Sequence, residues 1–116
     1  MGEDRDSSSA RALSAVFQPL DPQFIGALRF NEAGLIPAVA QDWLDGAVLM
    51  VAWMNQQAIE RTLASGEVHY WSRSRQELWH KGATSGHIQQ LKGLRYDCDA
   101  DVLLLSIEQS GDVACH

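Results

Sequence analysis

Two short apolar runs, residues 35–40 and 48–53, lie on either side of Asp45-Gly46, and this arrangement constrains the fold more than any other feature of the chain. An Asp-Gly pair between apolar runs is a hairpin signal, because the tight turns that match the right-handed twist of paired strands require positive φ. The chain must therefore build antiparallel sheet. Residues 68–71, 78–81, 87–94 and 102–109 are further short runs of the same kind. Only one stretch is marked as a substantial helix: Asn55 can cap it, Ile59 and Leu63 share a face at i, i+4, and Gly66 stands where a left-handed terminating residue is wanted. Asp21-Pro22 marks a shorter helical start, with Phe24, Ile25 and Leu28 on its apolar side. The expected class is α+β: a mixed, strongly bent sheet or pseudo-barrel of about five or six short strands with one main helix.

With 116 residues, 46% of them hydrophobic, the chain suffices for one domain, expected over residues 16–116. Residues 1–15 are expected to form a flexible tail, since Met1 to Ala10 is polar and Ser-rich. The first fifteen residues include Glu3, Asp4, Arg5 and Asp6 and lack the apolar stretch of a secretory leader. No run is long enough to span a membrane. Two cysteines without a leader favour a reducing compartment, so free thiols or metal ligands are expected in place of a disulfide, and the cytoplasm is the expected location. A net charge of −6 disfavours nucleic-acid or anionic-membrane partners. The charge is unevenly spread. Between residues 73 and 95, five bases (Arg73, Arg75, Lys81, Lys92, Arg95) accompany one acid, Glu77, whereas residues 97–116 contain five acids and no base.

Asp97-Cys98-Asp99-Ala100-Asp101 carries the most chemistry. Carboxylates suit magnesium, calcium or manganese, whereas a thiolate selects zinc or another softer ion. In an extended segment, alternation would send the three Asp to one face and Cys98 to the other. A plain structural turn is the competing reading, since Asp is common in turns and a free Cys behaves as a small hydrophobe. A helix-loop-helix calcium loop is a third. Its pattern finds Asp97, Asp99, Asp101 and Glu108 in register, but Val102 occupies the glycine position and a strand-like run follows.

The basic region mixes anion-binding parts. Arg73 and Arg75 offer planar forks, Lys81 a point charge, and Thr84-Ser85-Gly86 hydroxyls and backbone N–H groups. Tyr70, Trp71 and Trp79 could stack on a base, although aromatic residues in strands usually belong to the core. Neither glycine-rich nucleotide signature, G-x-x-x-x-G-K-[ST] or G-x-G-x-x-G, is present. His69 and His80 are expected to be structural or to contact substrate. His87 follows the Thr-Ser-Gly loop and could touch phosphate or act as a base. His116 adjoins Cys115, so a zinc ion at that cysteine would bring the imidazole near a metal-bound water.

Six segments taken in order, Gly34-Leu35-Ile36-Pro37-Ala38-Val39-Ala40-Gln41-Asp42, Val48-Leu49-Met50-Val51-Ala52-Trp53-Met54-Asn55, Tyr70-Trp71-Ser72-Arg73-Ser74-Arg75, Leu78-Trp79-His80-Lys81-Gly82-Ala83-Thr84-Ser85-Gly86-His87, Asp97-Cys98-Asp99-Ala100-Asp101 and Ala114-Cys115-His116, resemble phosphoribosyl-AMP cyclohydrolases from about Phe30 onward. The resemblance implies hydrolytic opening of the adenine ring of N1-(5-phosphoribosyl)-AMP between N1 and C6, the third step of histidine biosynthesis. It also implies that Cys98 and Cys115 bind zinc, that Asp97, Asp99 and Asp101 bind magnesium, and that His116 takes a proton from the attacking water. Arg73, Arg75, Lys81, Thr84, Ser85, Gly86 and His87 are the expected contacts to the phosphorylated nucleotide. A homodimer is implied, intertwined and sharing zinc ligands between subunits. So is a third zinc-binding cysteine several residues past the Cys-His pair, to be supplied by a segment after His116 unless the site is completed otherwise. Ala83 replaces an acidic residue of many relatives.

Two non-enzymatic readings use the same residues. One is a metal-stabilised domain that binds a nucleotide or phosphopeptide, with zinc closed by four protein ligands. The other is a dimerisation module in which Cys115 links or packs subunits.

Overall fold

The computed structural model describes residues 17–110. The expected N-terminal tail, Cys115 and His116 all lie outside the described residues. Seven strands, β1 (Phe17–Pro19), β2 (Ile36–Asp42), β3 (Val48–Met54), β4 (His69–Ser72), β5 (Glu77–His80), β6 (Gln89–Asp97) and β7 (Leu103–Gln109), form one sheet in the order β1-β6-β7-β2-β3-β4-β5. Helix α1 spans Gln56–Ser65, and a 3-10 helix spans Pro22–Ala27. The α+β class is as expected, but the sheet has seven strands and is not a closed barrel, because β1 and β5 remain as edges. β1 carried no periodic signal: it is three residues long, ends in proline, and exists by pairing with residues 95–97 of β6.

The helices follow from their caps. Asn55 Oδ1 accepts the Ala58 N–H at 2.8 Å, and Gly66 closes α1 at φ 78°, donating its N–H to the Thr62 carbonyl. Asp21 accepts the Gln23 N–H at 2.9 Å and Pro22 follows, so the short helix starts as expected, but it is a 3-10 segment with Leu28 extended at its end.

The hairpin signal at Asp45-Gly46 is realised between β2 and β3. Gly46 has φ 78°, Asp42 accepts the N–H groups of Leu44 and Asp45 at 3.0 Å each, and Gln41 Nε2 donates to the Gly46 carbonyl at 2.8 Å. β2 and β7 run parallel at the centre, with Ala38 opposite Leu103 and Ala40 opposite Leu105. Alternation puts Ile36, Ala38 and Ala40 of β2 and Leu103, Leu105 and Ile107 of β7 on one fully buried face, which α1 covers with Ala58 and Ile59 and the 3-10 helix with Ile25. Thr62 ties helix to sheet: its hydroxyl donates to the Ala58 carbonyl at 2.8 Å and accepts the His69 N–H at 2.9 Å. The opposite face of the sheet is less covered, and Val51 on it is 64% exposed.

Candidate functional site

Asp97 closes β6, and the turn that follows leads into β7. One carboxylate oxygen of Asp97 accepts the backbone N–H groups of Asp101 at 2.9 Å and Val102 at 3.1 Å, and the Asp97 carbonyl accepts the Ala100 N–H at 2.9 Å. Ala100 takes φ 60°, which folds the chain back over itself. A carboxylate oxygen from each of Asp97, Asp99 and Asp101 consequently falls within 4.8 Å of the others, while Cys98 is exposed with a free thiol. Strand alternation is not what gathers the three carboxylates. The turn does so, and the flanking elements are strands, so the helix-loop-helix calcium pattern is not realised.

The hydrogen bond with the Asp97 carboxyl raises the proton affinity of Asp101 above that of an ordinary aspartate, with desolvation and the charges of Asp97 and Asp99 acting in the same direction. Three converging hard oxygen donors with mutual repulsion fit magnesium or calcium better than a soft metal. For zinc, the described residues offer the single thiol of Cys98 at this turn.

The basic residues line two adjoining grooves at the β4–β5 end of the sheet. An open groove of about 530 Å³ is bounded by Trp71, Ser72, Arg73, Ser74, Arg75 and Trp79. A neighbouring groove of about 440 Å³ shares Arg75 and Trp79 and reaches His80, Thr84 and Ser85. Arg75 pairs with Glu77 at 3.5 Å, whereas the Arg73 guanidinium lies 4.8 Å from the centroid of the Trp53 ring. Lys81, Gly86 and His87 belong to the same loop as Thr84 and Ser85 without lining either groove. That loop is pinned by the Lys81 N–H to the Val68 carbonyl at 3.1 Å and the Gly86 N–H to the Gly82 carbonyl at 2.8 Å. Gly82 has φ 86°, and a Cβ there would run into the backbone of His87 and Ile88.

Beside the second groove is a cluster that sequence did not single out as a unit. His80 Nε2 lies 2.7 Å from Glu67 Oε1, His69 Nδ1 lies 2.9 Å from the Glu67 carbonyl, and the two imidazoles stack at 4.4 Å between centroids. Burial lowers the proton affinity of His69, and His80 and Arg61 add to this, while the Glu67 backbone and side chain oppose it. Register explains the cluster: His69 is directly opposite His80 in the β4–β5 pair, which would have revealed it had the pairing been known. Next to it Tyr70 is buried, kept neutral by desolvation, and donates its hydroxyl to Gln89 Oε1 at 2.6 Å. His69 is mostly buried within the fold, and His80 lines the second groove.

Strands β7, β2 and β3 stand between β6, which carries the acidic turn, and β4, which carries Trp71 and leads into Arg73. Cys115 and His116 lie outside the described residues, so their placement relative to Cys98 is not part of this geometry. Among the described residues no helix is long and apolar enough to cross a membrane.

The model of the family described as phosphoribosyl-AMP cyclohydrolase matches residues 50–116. A protein from Parasynechococcus marenigrum (strain WH8102) named histidine biosynthesis bifunctional protein HisIE is 80% identical over 99 residues, which cover 85% of this chain and 45% of that protein. Its counterpart in Prochlorococcus marinus (strain MIT 9313) is 77% identical over the same shares of each chain. A protein of Trichormus variabilis (strain ATCC 29413 / PCC 7937) named phosphoribosyl-AMP cyclohydrolase is 66% identical over 89 residues, 77% of either chain. The chain thus spans about half the length of the bifunctional relatives.

Proposed function

The chain belongs to the phosphoribosyl-AMP cyclohydrolase family, and from that premise we propose that it hydrolyses the N1–C6 bond of the adenine ring in N1-(5-phosphoribosyl)-AMP, in histidine biosynthesis. Alkylation at N1 leaves the ring cationic and C6 electron-poor. What the reaction needs is a nucleophilic water at neutral pH, a group to accept its proton, and a means of holding two phosphates.

Arg73, Arg75, Thr84 and Ser85 line the grooves and are assigned to the phosphates, with Lys81, Gly86 and His87 on the same loop extending the positive and N–H-rich surface. Trp71 and Trp79 offer ring surface for the base. His116 is assigned to take the proton from the attacking water. Asp97, Asp99 and Asp101 would hold magnesium, and Cys98 with Cys115 would hold zinc, whose chemistry is to make a water nucleophilic at neutral pH. Cys98 and Cys115 would need further ligands, from a cysteine past His116, from a second copy, or from both. The acidic turn and basic grooves are set apart in the sheet, which supports a homodimer in which a second copy completes the site. The proposed use of cysteines as metal ligands, which needs a reducing environment, supports a cytoplasmic location.

The single observation that carries the metal reading is the acidic turn, where three carboxylates converge beside an exposed thiol. Phosphoribosyl-AMP supplied to the protein should give the ultraviolet change of ring opening, lost on zinc chelation and restored by zinc. Absence of zinc-dependent turnover would overturn the assignment. Cys98→Ser should remove zinc and activity together, and His116→Ala should keep zinc and turn over slowly.

A further inference from the structure

The two groove arginines are held in different ways, and the difference identifies a residue with no assigned role. Arg75 faces the Glu77 carboxylate at 3.5 Å. Arg73 has no carboxylate within ion-pair distance among the described residues, and its contact is the face of Trp53, with the guanidinium carbon 4.8 Å from the ring centroid. A guanidinium over a ring is held by the ring quadrupole and not by a carboxylate acceptor, so N–H groups remain available for an anion. The ring contact therefore steadies an otherwise exposed and rotamer-rich side chain with no carboxylate competing for its charge, whereas the Glu77 carboxylate faces Arg75 at Nε.

Trp53 is suited to this task because it is itself fixed. It sits inside β3, with Pro37 of β2 opposite on one side and Trp71 of β4 on the other. It does not line the groove, whose walls are Trp71, Ser72, Arg73, Ser74, Arg75 and Trp79 and include no acid. The Ser72 and Ser74 hydroxyls, 3.4 Å apart, add donors beside Arg73.

We infer that Trp53 is a positioning residue, holding the Arg73 guanidinium over its ring so that N–H groups of Arg73 receive a phosphate monoester of the nucleotide in the groove beside Trp71. The inference rests on the activity proposed above and says which arginine is committed to phosphate and what keeps it there. Arg75, paired with Glu77, contributes less to phosphate affinity than Arg73.

Titration calorimetry with AMP as probe tests the stack independently of turnover. Trp53→Leu should weaken AMP binding by about three- to tenfold, the range of a partly desolvated cation–ring contact, and Trp53→Phe should restore most of it. In an Arg73→Gln background, Trp53→Leu should have no further effect on binding. With phosphoribosyl-AMP, Trp53→Leu should raise KM by a similar factor while kcat stays within about twofold, the pattern of lost uniform binding. Wild-type affinity in Trp53→Leu, an undiminished loss in the Arg73→Gln background, or no AMP binding by the unaltered protein would each overturn the inference. Were the unaltered protein to bind AMP in this pattern but not turn over phosphoribosyl-AMP, the proposed activity would fail and the positioning role would stand.

Discussion

Asp97 and Asp99 are two residues apart and serve the acidic turn differently. Asp97 accepts two backbone N–H groups, so Asp97→Ala is expected to destabilise the fold by about 1–2 kcal/mol, measured by urea denaturation without metal. Asp99 is exposed. Asp99→Asn should leave metal-free stability within about 0.5 kcal/mol of wild type while weakening magnesium binding, and zinc should stay bound. His69 sets a pH dependence of definite sign. Its folded proton affinity lies below the ordinary value of 6.5, so the unfolded chain takes up more protons in mild acid. The associated stability is present above pH 6.5 and is lost as pH falls from there through the folded value. Denaturation at pH 7.5 and 5.5 should show a smaller loss for His69→Phe than for wild type.

Among the elements, α1 was legible because its ends are written as single residues, Asn55 and Gly66, whose capping geometry is local. The central β7–β2 pairing was not, since it joins segments more than sixty residues apart in the chain and neither strand's alternation names its neighbour. The choice between a bent sheet and a pseudo-barrel was open for the same reason: strand count and apolar pattern do not say whether β1 and β5 meet, and they do not. At the site, the alternate spacing of Asp97, Asp99 and Asp101 was visible, but the turn that gathers them depends on Ala100 at positive φ, which no residue type announced. The stacking of Arg73 on Trp53 required the β3–β4 register, in which Trp53 faces Trp71. The loop after β5 has its own test. Gly82→Ala meets both a positive φ and the His87–Ile88 backbone, so a destabilisation of about 2–4 kcal/mol or a displaced loop is expected, read as a lowered denaturation midpoint and weaker AMP binding.

For the molecule as a whole, the half-open sheet carries the proposed assembly. If the second copy covers the outer face, Val51→Asp should shift the protein toward monomer in analytical ultracentrifugation, with dimer affinity falling at least about tenfold. The parallel contact between β2 and β7 has a temporal consequence as well. The strand that completes the centre is the last of the seven to leave the ribosome, so β2 emerges early and waits with one side unpaired. During that interval Ile36, Ala38 and Ala40 lack their neighbours Leu103, Leu105 and Ile107, and the nascent chain presents a sticky, template-like edge. A chain shortened to end before Leu103 is expected to aggregate on synthesis, seen as light scattering, and adding the missing strand as a separate peptide should suppress it.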